Sequence, residues 1–186
     1  ALFKFAQTYL ENSSVGAIYG HGHIAELSGQ VVHKARTSEV NLDNLFEWFA
    51  GGAEFMQPSC LFTSKAWQTC GPLAEDLEYA MDLDLWIKIA KAYKFQKVDD
   101  LLSISLRHDD AKTFASAEHS YLDVAMVYMR HGREDKARIV LANQIKRLLE
   151  CKNECERLQN YKIECETLKK IPIFGTLARI IKKHTS

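Results

Sequence analysis

No stretch of the 186-residue chain stays apolar over the ~18 residues that a membrane-spanning helix requires. Net charge is also missing. Lys and Arg number 24, as do Asp and Glu, which argues against a nucleic-acid binder held by a generic basic surface. There is no Gly-rich phosphate loop and no nucleophile elbow. No secretory signal opens the chain, and residue 1 is Ala rather than Met, so the expected gene start lies further upstream. The cysteines number five, an odd count unlike a disulfide framework, which favours a reducing compartment. What remains is an ordinary globular composition, 47% hydrophobic and 26% charged, enough for a sizeable core and against wholesale disorder.

The zero net charge hides an asymmetry. Residues 133–186 hold 13 Lys/Arg and 7 Asp/Glu, leaving 11 and 17 for residues 1–132. Such a shift separates a globular domain from an appended helical segment. The expected organisation is therefore a domain over 1–131, a long helical segment over 132–170, and a basic tail over 171–186.

Helix and strand signals alternate through the first part. Leu2, Phe3, Phe5, Ala6, Tyr9 and Leu10 recur at helical spacing and stop before Asn12. Val15 to Tyr19 reads as a short buried strand ending at Gly20. Ile24–Leu27 and Gln30–His33 flank Ser28-Gly29 as a hairpin. Residues 41–49 read as a helix stopped by Gly51-Gly52, and 59–63 as a strand. Ser64 then caps a short helix ending at Gly71. Residues 79–93 form a helix, and 95–106 are strand-like around a turn at Asp99-Asp100. This alternation predicts an α/β domain. From Thr113 onward the pattern is helical. Tyr121, Val124, Val127 and Tyr128 mark one stripe ending at Gly132, before a long helix toward Leu168. Lys152–Leu158 and Lys162–Leu168 echo one another ten residues apart, a spacing that is not a heptad and does not establish a coiled coil.

The most informative stretch is Glu75 to Tyr93. On a helix, Asp82 shares a face with Tyr79, Trp86, Ile89 and Tyr93, the apolar stripe. Asp84 falls with Lys88 and Lys91, predicting a surface i,i+4 pair contributing about 0.3–0.5 kcal/mol. Near a helix start, backbone N–H groups and the dipole favour a carboxylate. Asp82 is thus either a capping or buried hydrogen-bonded group or a reactive one.

A series of motifs bears on that choice. Gln57-Pro58 is followed by Cys60-Leu61-Phe62, Ala66-Trp67, Gly71, and Tyr79 through Trp86. Then come Ile89-Ala90, Leu101-Leu102, Leu106-Arg107-His108 and Ala111-Lys112-Thr113. Upstream stand Ala17-Ile18-Tyr19-Gly20 and Ser28-Gly29. In this order and spacing, residues 1–131 resemble the acceptor-side half of a family 2 glycosyltransferase with the GT-A fold, a Rossmann-like α/β nucleotide-diphospho-sugar transferase. The resemblance implies inverting transfer of a sugar from a nucleotide donor to an acceptor hydroxyl. Asp82 stands where that family often places its general base, with Met81 in place of a frequent preceding Glu. Arg107 and His108 match the region that approaches the donor phosphates or the metal, where a cation offsets charge on the leaving diphosphate. Gln57 and Trp86 are expected at the acceptor pocket, and Trp67 in the core.

The family's Asp-x-Asp, which holds a divalent cation (Mg²⁺ or Mn²⁺), is expected before residue 1, together with the nucleotide-binding strands. This chain alone is therefore expected to be inactive. Asp109-Asp110 is a weaker alternative in a loop, where a turn role is favoured. His21-Gly22-His23 presents two imidazoles without further ligands at diagnostic spacing, so a strand-end role is favoured over a metal site. Cys151 and Cys155 read as buried or interface thiols.

Residues 169–186 carry Lys169, Lys170, Arg179, Lys182 and Lys183 and no acid, with Ile173, Phe174, Leu177, Ile180 and Ile181 as an apolar side. Such a segment fits either peripheral contact with an anionic membrane or docking on its own domain. The implied partners are a nucleotide-sugar donor and a glycan or lipid-linked acceptor, with no nucleic acid, in glycan or cell-envelope polysaccharide synthesis. A helix-mediated oligomer is also compatible. The expected location is the cytoplasm, at the inner membrane face if the tail binds there. The competing expectation is a non-catalytic scaffold or interaction module built on a truncated transferase fold.

Overall fold

The structure is a computed structural model that describes residues 1–35, 37–52, 55–107 and 117–170. It divides into two compact units, Ala1–Leu141 and Ala142–Ser186.

The first unit is mixed α/β, as the alternation predicts. Its hub is strand β1 (Val15–Ala25), continuous through Gly20 and Gly22 rather than ending at Tyr19. Along one edge β1 pairs in parallel with β4 (Lys94–Leu106). Along the other it pairs antiparallel with β3 (Cys60–Phe62) at Ala17–Tyr19 and with β2 (Val31–Lys34) at His23–Ala25. β1 and β2 make the expected hairpin, turning at Gly29 with a φ of +86°. Asp99-Asp100 does not break β4 into two strands. Tyr19 and His21 face Lys97 and Leu101, so the extra β4 residues, the two aspartates among them, bulge from the ladder.

Helix α1 (Leu2–Glu11) covers one face of the sheet, where Phe5 packs with Val15 and Ile18. The other face carries α3 (Ser64–Cys70) and α4 (Met81–Ala92), with Ala17, Ala66, Cys70, Leu85 and Ile89 in one cluster. Thr63 rather than Ser64 caps α3, its hydroxyl accepting from the Ala66 N–H at 3.1 Å. The segment read as one helix over 41–49 is α2 (Leu42–Leu45), capped by Asn41, followed by a 3₁₀ turn at Trp48–Ala50.

The main core gathers around α4. Phe55 and Trp86 stand 4.6 Å apart between ring centroids, Trp48 and Trp86 5.4 Å, and Tyr19 and Phe55 5.3 Å. Helix α5 (Ala117–Arg130) adds Val124, Val127 and Tyr128, three of the four residues read as a stripe, and Gly132 turns the chain at a φ of +77°. Helix α6 (Glu134–Lys170) follows, and Ala137 and Val140 in its first turns are buried in the same core.

The described part of the second unit is the remainder of α6. It is lined by i,i+3 and i,i+4 pairs, Arg157–Glu154 at 3.0 Å and Lys152–Glu156 at 3.8 Å, which lend a long exposed helix modest support. Leu148, Leu149, Leu158, Tyr161 and Ile163 are exposed on it. No described helix is long and apolar enough to cross a membrane.

Candidate functional site

The two carboxylates in the first turn of α4 have different surroundings. Ala80 starts the helix without a side-chain cap. Asp82 partly supplies one, its Oδ1 accepting from the Leu83 N–H at 2.7 Å. Asp82 is half-buried and forms no ion pair among the described residues. Burial raises its carboxyl, and the N–H groups of Leu83 and of Asp82 itself pull only partly back, leaving it above its ordinary value.

Asp84 corrects the sequence expectation. The i,i+4 pair with Lys88 forms, but the Asp84 carboxylate is fully buried rather than on the surface. Lys88 Nζ stands 2.7 Å from Oδ2, an ion pair rather than a well-aligned hydrogen bond. His131 Nε2 lies 2.9 Å from Oδ1, and Arg130 Nη1 lies 3.9 Å away. Burial alone would raise this carboxyl, but Lys88 and His131 outweigh it and hold Asp84 below its ordinary value. The helical wheel of α4 misses this because His131 and Arg130 arrive from the junction of α5 and α6. One signal was available. Residues 83, 85, 86, 87 and 89 are apolar on every side, the mark of a central helix in which a polar residue needs a partner.

His131 is the residue that sequence reasoning did not find. Its Nδ1 lies 2.9 Å from Lys91 Nζ. An ammonium only donates, so Nδ1 accepts, and Nε2 carries the proton given to Asp84. Burial lowers His131; the Asp84 hydrogen bond opposes this and Lys91 adds to it, so the imidazole stays below its ordinary value.

The remaining expected site residues are spread out. Trp86, one turn after Asp82, is 4% exposed and belongs to the aromatic core with Phe55 and Trp48. Gln57 is exposed at the start of the 3₁₀ turn Gln57–Ser59. Arg107 is exposed where the chain leaves β4, its N–H donating to the Ala25 carbonyl at 2.8 Å. His108 and the Asp109-Asp110 pair lie outside the described residues, as do the motif residues 111–113 and the tail 171–186. Trp67, expected in the core, is 38% exposed and stacks on the exposed Phe62 at 5.7 Å. Cys151 and Cys155, expected to be buried or at an interface, are exposed.

Topology nonetheless gives Asp82 and Arg107 a common direction. The last turn of α4 meets the start of β1, where Ile89 and Tyr93 crowd Gly16. The helix therefore points its first turn toward the carboxyl ends of the parallel pair β1 and β4, from which Arg107 emerges. In open parallel α/β sheets ligands bind at this end; here β1–β4 is the parallel pair of a mixed sheet. An open cleft at α1 and β4, lined by Lys4, Thr8, Glu11, Gln96, Asp99 and Asp100 among others, contains none of the expected site residues. Among the described residues, no group of three or more His, Cys, Asp or Glu side chains is arranged to hold a metal ion. His21 instead faces Asp99 at 3.6 Å.

Compared with known protein families, the chain matches no family model, and compared with curated proteins it matches none.

Proposed function

We propose that this chain is the acceptor-side part of an inverting glycosyltransferase of the GT-A type, with Asp82 as the general base. The observation that carries the reading is the division of labour on α4. Asp84 is held in a buried ion cluster, while Asp82 is desolvated, raised in basicity and free of any ion pair among the described residues. A raised carboxylate is a better proton acceptor at neutral pH than an ordinary one. It takes the proton of the acceptor hydroxyl as that oxygen attacks the anomeric carbon opposite the leaving nucleoside diphosphate. Arg107, at the carboxyl end of β4, offsets charge on that diphosphate. Donor nucleotide and divalent cation (Mg²⁺ or Mn²⁺) are held mainly by residues outside this sequence, and the acceptor is a glycan or a lipid-linked sugar. The reaction is assigned to the cytoplasmic side, at the inner membrane face if the basic segment 171–186 binds there rather than on its own domain.

The test uses the complete protein. Titration with nucleotide sugars shows binding that requires Mg²⁺ or Mn²⁺. Asp82→Asn keeps that binding and lowers turnover by at least ~100-fold. Wild-type turnover in the variant would remove Asp82 from the role of base. A second reading, a non-catalytic interaction module, draws on the exposed Leu148, Leu149, Leu158, Tyr161 and Ile163 of α6. Failure of the complete protein to bind any nucleotide sugar would favour it.

A further inference from the structure

His131 sits where two parts of the first unit meet. It lies between α5 and α6, in a turn closed by the Gly132 N–H donating to Met129 O at 3.0 Å and the Arg133 N–H donating to Tyr128 O at 2.8 Å. Its imidazole bridges back to α4, through Nε2 to Asp84 and through Nδ1 to Lys91.

The charges around it come from every neighbouring element. Helix α4 supplies Asp84, Lys88 and Lys91, and α5 supplies Arg130, itself paired at 2.5 Å with Asp76 from the loop before α4. Arg133 lies 4.9 Å over the ring of Phe46, which also packs edge-on against His131 at 6.5 Å. Asp43 and Glu47 flank Phe46, Glu47 pairs with Lys136, and Asp135 pairs with Arg133 at 3.0 Å. Two cations, Lys88 and Arg130, thus reach one fully buried carboxylate, Lys91 meets it only through His131, and Asp76 draws on Arg130 alone.

That balance depends on a neutral imidazole. A proton arriving from solvent must bind Nδ1, the atom that accepts from Lys91. The new N–H⁺ then faces an ammonium 2.9 Å away. Lys91 must turn to solvent, and Asp84 must serve His131⁺, Lys88 and Arg130 together. The imidazolium itself is buried while Lys88, Lys91 and Arg130 reach solvent, so its added charge is relieved by moving the α5–α6 turn that carries it away from α4.

We propose that the Asp84–His131–Lys91 cluster is a proton-sensitive tie: with neutral His131 it holds the first turn of α4 against the α5–α6 turn, and it loosens when His131 takes a proton. Because that first turn also carries Asp82, the tie regulates the base in the transferase reading, and only this last step rests on that reading.

The test is an NMR titration of the intact chain labelled with ¹⁵N-histidine, together with amide hydrogen exchange at each pH. At neutral pH, His131 shows the Nε2–H tautomer, and its midpoint lies below the ordinary value of about 6.5. Through that midpoint, with the pH dependence of intrinsic exchange divided out, amides of 83–84 and 129–133 lose at least ~10-fold in protection, while those of 17–19 in β1 keep theirs. Lys91→Met, at an exposed position, moves the midpoint upward and the onset of exchange with it. An Nδ1–H tautomer, a midpoint at or above the ordinary value, exchange indifferent to the titration, or a Lys91→Met midpoint equal to wild type would each overturn the tie. None of these readouts needs a sugar donor. If the tie behaves as stated while Asp82→Asn turns over normally, the transferase reading fails and the tie stands.

Discussion

Asp82 and Asp84 stand two residues apart in the first turn of α4, yet the fold shifts their carboxyls in opposite directions. Asp82 is raised by burial with only backbone N–H groups to oppose it. Asp84, fully buried, is lowered by Lys88 and His131. A raised carboxyl is a charge the fold carries at a cost, and a lowered one is a charge the fold stabilises. Asp82→Asn is therefore expected to leave stability at pH 7 unchanged or slightly higher. Asp84→Ala strands Lys88 and His131 and is expected to lose about 3–5 kcal/mol. Urea unfolding at pH 7 checks both. A larger loss for Asp82→Asn than for Asp84→Ala would invert the assignment.

The same groups set the acid behaviour. His131 is lowered in the fold, so the unfolded chain takes its proton first. Its contribution is complete above about 6.5 and is lost as pH falls from there through the folded value. Asp84, also lowered, gives a second loss beginning below its ordinary value of 3.8. Asp82 acts in the opposite sense, favouring the fold as it protonates. Comparing wild type with His131→Gln isolates the first window. Wild type should lose stability on acidification from pH 7 to 5, and the variant should lose less. Parallel curves would show that His131 does not titrate as described.

Periodicity located most elements, because α1, α4, α5, α6 and the β1–β2 hairpin each carry their own apolar spacing and turn residues. It failed where the deciding atoms are distant in sequence. Gly20 reads as the end of a strand, yet β1 continues through it. A Cβ there would sit 2.7 Å from the Asp100 carbonyl and from Leu102, so this glycine marks the close approach of β4. Trp67 reads as core because tryptophan usually is, but α3 turns it outward onto Phe62. Asp82 was legible from its place at a helix start on an apolar face. The burial of Asp84 had only the apolar residues all round α4 to signal it, and its partner His131, 47 residues further on, had no signal at all.

Tyr128 gives a second stability test. Its hydroxyl donates to the Leu45 carbonyl at 3.1 Å and accepts from the Trp48 N–H at 3.3 Å. One side chain of α5 thereby satisfies two backbone groups around α2. Burial raises its phenol to about 12, so the hydroxyl stays protonated across the working pH range. Tyr128→Phe keeps the ring against Phe46 but leaves both backbone groups without that partner. The expected loss is about 1–3 kcal/mol by urea unfolding, with the 42–50 amides exchanging faster. Unchanged stability would mean that water replaces the hydroxyl.

Gly16 tests how tightly α4 is seated on the sheet, and with it the direction in which the helix points Asp82. A Cβ at this position would lie 2.9 Å from Ile89 Cγ2 and closer still to Tyr93 Cβ, at the junction of α4 and β4. Neither is the far end of a flexible chain. Ile89 is fully buried against Ala17 and Leu85, and Tyr93 is hydrogen-bonded to Thr69 at 2.9 Å. A larger residue must therefore lift the last turn of α4 from β1. Gly16→Val is expected to cost at least ~2 kcal/mol, within the usual penalty for overpacking. Gly29→Ala offers a contrast. Nothing stands within 4 Å of its Cβ, and its cost comes from the left-handed backbone alone, about 1 kcal/mol. If Gly16→Val unfolds at the wild-type urea concentration, α4 does not press on β1 at this point. Its first turn would then have no anchor holding it toward the carboxyl ends of β1 and β4.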